Sequence, residues 1–128
     1  MKINNGILSN VNIKGVEFIV DLIPITNTKA RSLTKMNPQY ITVHNTGNPN
    51  TSAKNNSNYV KNVNNFVSWH FTIDNKNIIQ QLPINEVAWH CRDGEKGKGN
   101  TTSIGIETCE INGAEEVAIK FMSELKKH

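Results

Sequence analysis

With 128 residues, the chain is long enough to enclose one hydrophobic core and too short to argue for two. Hydrophobic residues make up 37% and charged residues 20%, which is polar for a globular protein but lacks the charge excess that keeps chains disordered. The net charge of +3 is carried by scattered Lys and Arg that form no stripe along which a phosphate backbone could run, so nucleic acid is not an expected partner. No run reaches membrane-spanning length, and MKINNGILSN lacks the apolar core of a secretory signal; the expectation is a soluble chain made in the cytoplasm without its own export signal. The two cysteines, Cys91 and Cys109, could pair, bind metal or do neither, and free structural thiols are expected.

The first predicted element is a strand or bent pair of strands within VNIKGVEFIVDLI, Val11 to Ile23, closed by Pro24. A polar stretch from Thr26 to Gln39 leads into a second strand, Tyr40 to His44. Between Thr51 and Phe66 the positions of Tyr59, Val60, Val63 and Phe66 form a narrow helical stripe. The asparagines crowded there, Asn55, Asn56, Asn58, Asn62, Asn64 and Asn65, suit a solvated face. SWHFTID alternates with period two, Asp74 to Lys76 make a turn, and NIIQQLP follows, so Ser68 to Leu82 is a predicted hairpin in which Trp69 and Phe71 serve the core. Arg92 to Asn100 is glycine-rich and charged, an exposed loop, and SIGIETCEI after it is a buried strand. Asn112 and Glu115 have capping-box spacing ahead of a closing helix whose Val117, Phe121, Met122 and Leu125 share one face. The fold class this implies is α/β: one domain with a central mixed β-sheet flanked by helices.

Four histidines are present, His44, His70, His90 and His128, but no HExxH or CxxC spacing announces a metal site. Strand parity is more informative. In ITVH, Ile41 and Val43 share a face and leave Thr42 and His44 on the other; His44 stands at the strand's carboxyl end, where α/β sheets place ligand sites. In SIGIETC, Ile104 and Ile106 share one face, and Gly105, Glu107 and Cys109 share the opposite one. A carboxylate in so apolar a run is costly to bury unless it is paired or its pKa is raised, which makes Glu107 the best general-base candidate. Bland alternatives stand beside these: His44 as a hydrogen-bonded strand end, Glu107 as half of an ion pair, and His70 as a hydrogen-bonded sheet residue.

YITVHNTGN, SWHFTIDNKNIIQQLPINEVAWH, GEKGKGN and SIGIETCEI, in that order, resemble the successive motifs of the type-2 N-acetylmuramoyl-L-alanine amidases, a family that includes bacteriophage endolysins and is related to the peptidoglycan recognition proteins. The resemblance runs from about Met36 onward. It implies a zinc-dependent hydrolase that cuts between N-acetylmuramic acid and L-alanine, acting at the bacterial cell wall after release. By it, His44 is the first zinc ligand, Glu107 is the catalytic carboxylate, and Asn45, Thr46, Trp89, His90 and Asn100 line the substrate groove.

Similar amidases continue beyond the corresponding helix into a segment with a second ligand His, a Lys and a third ligand that is Cys or Asp. The expectation is therefore a catalytic domain over residues 1–128 that is shortened at its C-terminus. Weak zinc binding follows unless new donors come from His128, from Cys91 or Cys109, from His70 or His90, or from a partner chain. Two functions compete: the amidase itself, or a non-catalytic peptidoglycan-binding or regulatory module that keeps the groove without the metal.

Overall fold

The computed structural model describes residues 1–128. Its first element was not expected: a hairpin of β1 (Lys2–Asn4) and β2 (Ile7–Ser9), with Ile3 opposite Leu8. The signal is Asn5-Gly6, both at positive φ (51° and 81°), the pair that a two-residue hairpin turn favours. Of the predicted Val11 to Ile23 segment only β3 (Glu17–Val20) joins the main sheet; upstream, Ile13 and Val16 form a single bridge around Gly15.

The main sheet has five strands: β3, β4 (Tyr40–Asn45), β5 (Phe71–Ile73), β6 (Asn77–Gln80) and β7 (Ser103–Thr108), ordered β3-β6-β5-β7-β4. β4 and β5 run parallel to β7, β6 is antiparallel to β5, and β3 is parallel to β6. This is the mixed sheet expected, with the β4 and β7 segments as neighbours. The β5–β6 hairpin turns on Asp74, whose Oδ1 accepts from the backbone N–H groups of Lys76 and Asn77. Asp74 Oδ2 accepts from Ala53 N, holding a negative charge at the N-terminus of helix α1 (Ala53–Asn62), which Ser52 also caps through Asn55 N.

A short helix α2 (Lys98–Thr102) replaces the end of the expected Arg92 to Asn100 loop. Helix α3 (Ala114–Leu125) lies where the apolar stripe placed it, but the capping box does not form. The chain enters α3 through Gly113 in the left-handed conformation (φ 92°), so the N-cap is a residue without a side chain, and Glu115 and Glu116 serve the helix dipole alone. No helix is long and apolar enough to cross a membrane.

Each sheet face has its own core. On one side Phe71, Ile73, Ile78, Ile104 and Ile106 pack with Val117, Phe121 and Leu125 of α3 and Leu8 of the hairpin. On the other, α1 contributes Val60 to a cluster with Ile23, Ala30, Trp69, Leu82 and Ala88. The connection before β4 is fastened by a buried ion pair, Arg31 to Glu86, bidentate at 2.8 Å in both contacts, while Arg31 Nη1 donates to Ile23 O. Two full hydrogen bonds and a third to a carbonyl are what make such a buried pair tolerable.

Phe121 is fully buried, edge-on to Phe71 with ring centroids 4.8 Å apart. Truncating a phenylalanine in such a setting costs about 3–5 kcal/mol. Phe121→Ala should therefore lower the urea midpoint by that equivalent at unchanged slope, and an unchanged midpoint would show that α3 does not pack through this face.

Candidate active site

The site grows out of one register. β4 and β7 pair in parallel with Thr42 opposite Gly105 and His44 opposite Glu107. Since side chains alternate faces, His44 and Glu107 emerge side by side on the α1 face of the sheet while Ile104 and Ile106 go to the α3 core. Beyond β4 and β7 a groove of about 660 Å³ opens. It is lined by His44, Asn45, Thr46, Trp89, His90, Asn100 and Glu107, all seven residues singled out from the sequence, together with Phe66, Trp69 and Arg92.

The far wall is the segment that ends in His90. Asn100 Oδ1 accepts from both His90 N (2.9 Å) and Cys91 N (2.8 Å), and its Nδ2 donates to Gly94 O. Asn100 is buried, so its place in the groove is that of a clamp on the wall. Asp93 holds the start of α2 in turn, accepting from Gly99 N and Asn100 N. His90 lies across β7 because Gly105 has no side chain: a Cβ there would stand 2.7 Å from the imidazole.

Three donor atoms converge, His44 Nε2, His90 Nδ1 and Cys91 Sγ, all within 4.8 Å of one another. His44 Nε2 is 2.9 Å and Cys91 Sγ 3.2 Å from His90 Nδ1. Burial, followed by the neighbouring His44, brings the His90 pKa down to about 4, and burial lowers that of His44, so both imidazoles are neutral near pH 7. Burial and then Asp93 raise the Cys91 thiol. Burial alone pushes Glu107 up to about 7, the condition of a carboxyl poised between holding and releasing a proton.

The other donor candidates lie elsewhere. His70 is fully buried with Nε2 on Glu86 O and Nδ1 accepting from Gly105 N, the hydrogen-bonded sheet residue expected. Cys109 is free as expected, buried against Asn56, and part of a larger cleft of about 890 Å³ on the other side of His44. His128 sits beside Tyr40, Ile41 and Ile104, at the opposite end of β4 and β7 from His44. Cys91, expected to be a free structural thiol unless recruited as a zinc donor, is free and has its Sγ beside His90 Nδ1.

The family model for N-acetylmuramoyl-L-alanine amidase matches residues 34–126. The chain is 51% identical over 92 residues to the N-acetylmuramoyl-L-alanine amidase CwlH of Bacillus subtilis (strain 168), a match that takes in 70% of this chain and 36% of that protein. To the N-acetylmuramoyl-L-alanine amidase CwlA of the same strain it is 44% identical over 99 residues, 72% of this chain and 36% of that protein. The chain thus spans about a third of the length of these curated relatives. Among solved structures, the catalytic domain of XlyA superposes with a TM-score of 0.78 at 42% identity, over 86% of this chain and 75% of that one. The structure of PlyL superposes with a TM-score of 0.80 at 35% identity, over 88% and 74% of the two chains. With more than two thirds of its residues inside the family match and its fold shared with solved catalytic domains, the chain belongs to the N-acetylmuramoyl-L-alanine amidase family of hydrolases.

Proposed function

We propose that this chain cuts the amide bond between N-acetylmuramic acid and L-alanine in bacterial peptidoglycan, with His44 as a zinc ligand and Glu107 as the general base. The observation that carries the reading is the β4–β7 register, which sets an imidazole and an unpaired, partly buried carboxyl side by side at the mouth of a groove. The donors suit zinc: two neutral imidazoles and a thiol meet at one point, a borderline-soft set of the kind this ion takes. When bound, zinc supplies a Lewis acid that polarises a carbonyl and acidifies water.

The chain's own residues do the rest. Glu107 takes a proton from the attacking water and returns it to the departing alanine nitrogen, a shuttle that works best with a pKa near the operating pH. Trp89 offers an aromatic wall, and Asn45, the last residue of β4, and Thr46 after it offer polar groups to the same groove. His90 faces the substrate from the far wall, held there by Asn100. The site of action is the cell wall, whose anionic polymers suit a chain of net charge +3.

On purified peptidoglycan the chain should release peptides with new alanine N-termini and no new reducing sugar ends. Glu107→Gln should lower kcat by about 10²–10⁴-fold, and His44→Ala should abolish turnover. Sugar reducing ends in the product, or full activity in Glu107→Gln, would refute the reading. Wall binding without any cleavage by the native chain would instead favour a peptidoglycan-binding module.

Glu107 also leaves a stability signature. Its folded pKa of about 7 lies above the ordinary 4.5, so the native state keeps this proton longer than the unfolded chain does. Below pH 4.5 the group costs nothing; as pH rises to 7 the cost of a buried carboxylate sets in, and above 7 it is complete. Metal-free Glu107→Gln should therefore be more stable than the native chain at pH 8, by on the order of 1–2 kcal/mol once partial exposure is allowed for, and equal to it at pH 4. Urea titrations at the two pH values check this, and equal stability at both would mean that Glu107 is not held in a desolvated place.

A further inference from the structure

We propose that Arg92 selects the wall peptide by its charge, the guanidinium taking the free α-carboxylate of a γ-linked D-glutamate that follows L-alanine. The inference rests on the proposed amidase reading and goes beyond it by naming the substrate group that one residue of the groove recognises.

Arg92 stands in a conformation that its side chain does not favour. Its φ is 57°, in the left-handed region where a Cβ crowds the following carbonyl. Five residues other than glycine adopt such a φ; three are asparagines, which tolerate it, and Arg92 is the only one that carries a charge. Its neighbours hold it there. Cys91 N donates to Asn100 Oδ1, and the Asp93 carboxylate accepts from Gly99 N and Asn100 N, so the residues before and after Arg92 are both tied to α2. Gly94, left-handed as well at φ 77°, is the residue type that such a turn ordinarily takes. An arginine where glycine would sit without strain, on the wall of a substrate groove, marks a position at which the side chain matters more than the ease of the backbone.

The guanidinium is open to a ligand. Of the chain's two arginines, Arg31 is fully engaged with Glu86 and Ile23 O, whereas Arg92 is exposed and enters no ion pair, even with Glu95 of the same groove. It is the only Lys or Arg that lines the groove. The substrate offers few anions to it. The lactyl carboxyl of N-acetylmuramic acid is consumed in the scissile amide, and the unsubstituted sugars carry no charge. L-Alanine is apolar, so the first negative group past the cut is the α-carboxylate left free when D-glutamate is joined through its γ-carboxyl. Where a wall carries this group as the amide, isoglutamine, the charge is gone. The planar fork of an arginine meets a carboxylate with two charge-assisted hydrogen bonds, a match that a neutral amide cannot reproduce. Arg92 therefore distinguishes walls by amidation at this one position and draws the peptide along the His90 wall.

Two muramoyl tripeptides test the assignment, one with γ-D-glutamyl-L-lysine and the other with D-isoglutaminyl-L-lysine after L-alanine, since they differ only at this α-carboxyl group. Titrated calorimetrically into the metal-free chain, the carboxylate form should bind about fivefold more tightly, an advantage that fades at high salt. Arg92→Gly should bind both forms equally, and Arg92→Lys should keep part of the preference. The urea midpoint of Arg92→Gly should be no lower than that of the native chain, because glycine relieves the left-handed turn. A merely structural role would lower that midpoint and weaken both ligands alike. Equal affinity of the native chain for the two tripeptides, a preference that survives in Arg92→Gly, or failure to bind either form overturns the inference. Cleavage judges the functional reading separately: a chain that binds with the preference but cuts neither form refutes the amidase and leaves Arg92 assigned, whereas one that cuts both with equal kcat/KM leaves the amidase and refutes the role of Arg92.

Discussion

The parallel pairing of β4 with β7 is the constraint on which the rest depends. Register in a sheet is all or nothing: a slip of one residue would send His44 into the opposite face and leave Glu107 without a neighbour. The register is held from the other side, where Ile104 and Ile106 pack with Phe71, Phe121 and Val117. The hydrophobic core against α3 thus fixes the placement of His44 and Glu107 on the α1 face, and a loss of packing there is a loss of that geometry.

The groove is costly to build, and its surroundings absorb the cost. Glu107 is partly desolvated without a partner charge, and His44 and His90 are held neutral against each other. None of these arrangements stabilises the fold. They are tolerated because the wall opposite is overdetermined: Arg31 and Glu86 lock the approach to it, Ser68 Oγ accepts from Trp89 N, and Asn100 holds His90 and Cys91. Cys91, at the end of this wall, has its backbone held by Asn100 and its Sγ beside His90.

Much of this could be seen in the sequence because strand parity is a strict rule. ITVH and SIGIETC each divide into an apolar and a polar face, and that alone set His44 and Glu107 on the face opposite Ile41, Ile104 and Ile106. The α3 stripe was legible for the same reason, at a helical period. Other features depend on residues distant in sequence. Arg31 and Glu86 are 55 positions apart, and nothing local to either announces their pairing. Asn112 and Glu115 have the right spacing for a capping box, but the left-handed Gly113 takes the N-cap position, a choice made by how the chain leaves β7. Cys91 offered no motif, since its meeting with His44 is created only when the wall folds across β7. The Asn5-Gly6 turn, by contrast, was readable, since Asn-Gly is among the strongest short-range hairpin signals in a sequence.

His44 borders two clefts, the groove toward Trp89 and His90 and the larger one toward Asn112, Glu115 and Ile119. Only the groove joins His44 to Glu107, and that is where the account seats the muramoyl peptide. Backbone and indole N–H chemical shifts followed by nuclear magnetic resonance during titration of metal-free protein with a muramoyl dipeptide decide the matter. The account predicts perturbations at Asn45, Thr46, His90 and the Trp89 indole; perturbations confined to Asn50, Asn112, Glu115 and Ile119 would contradict it.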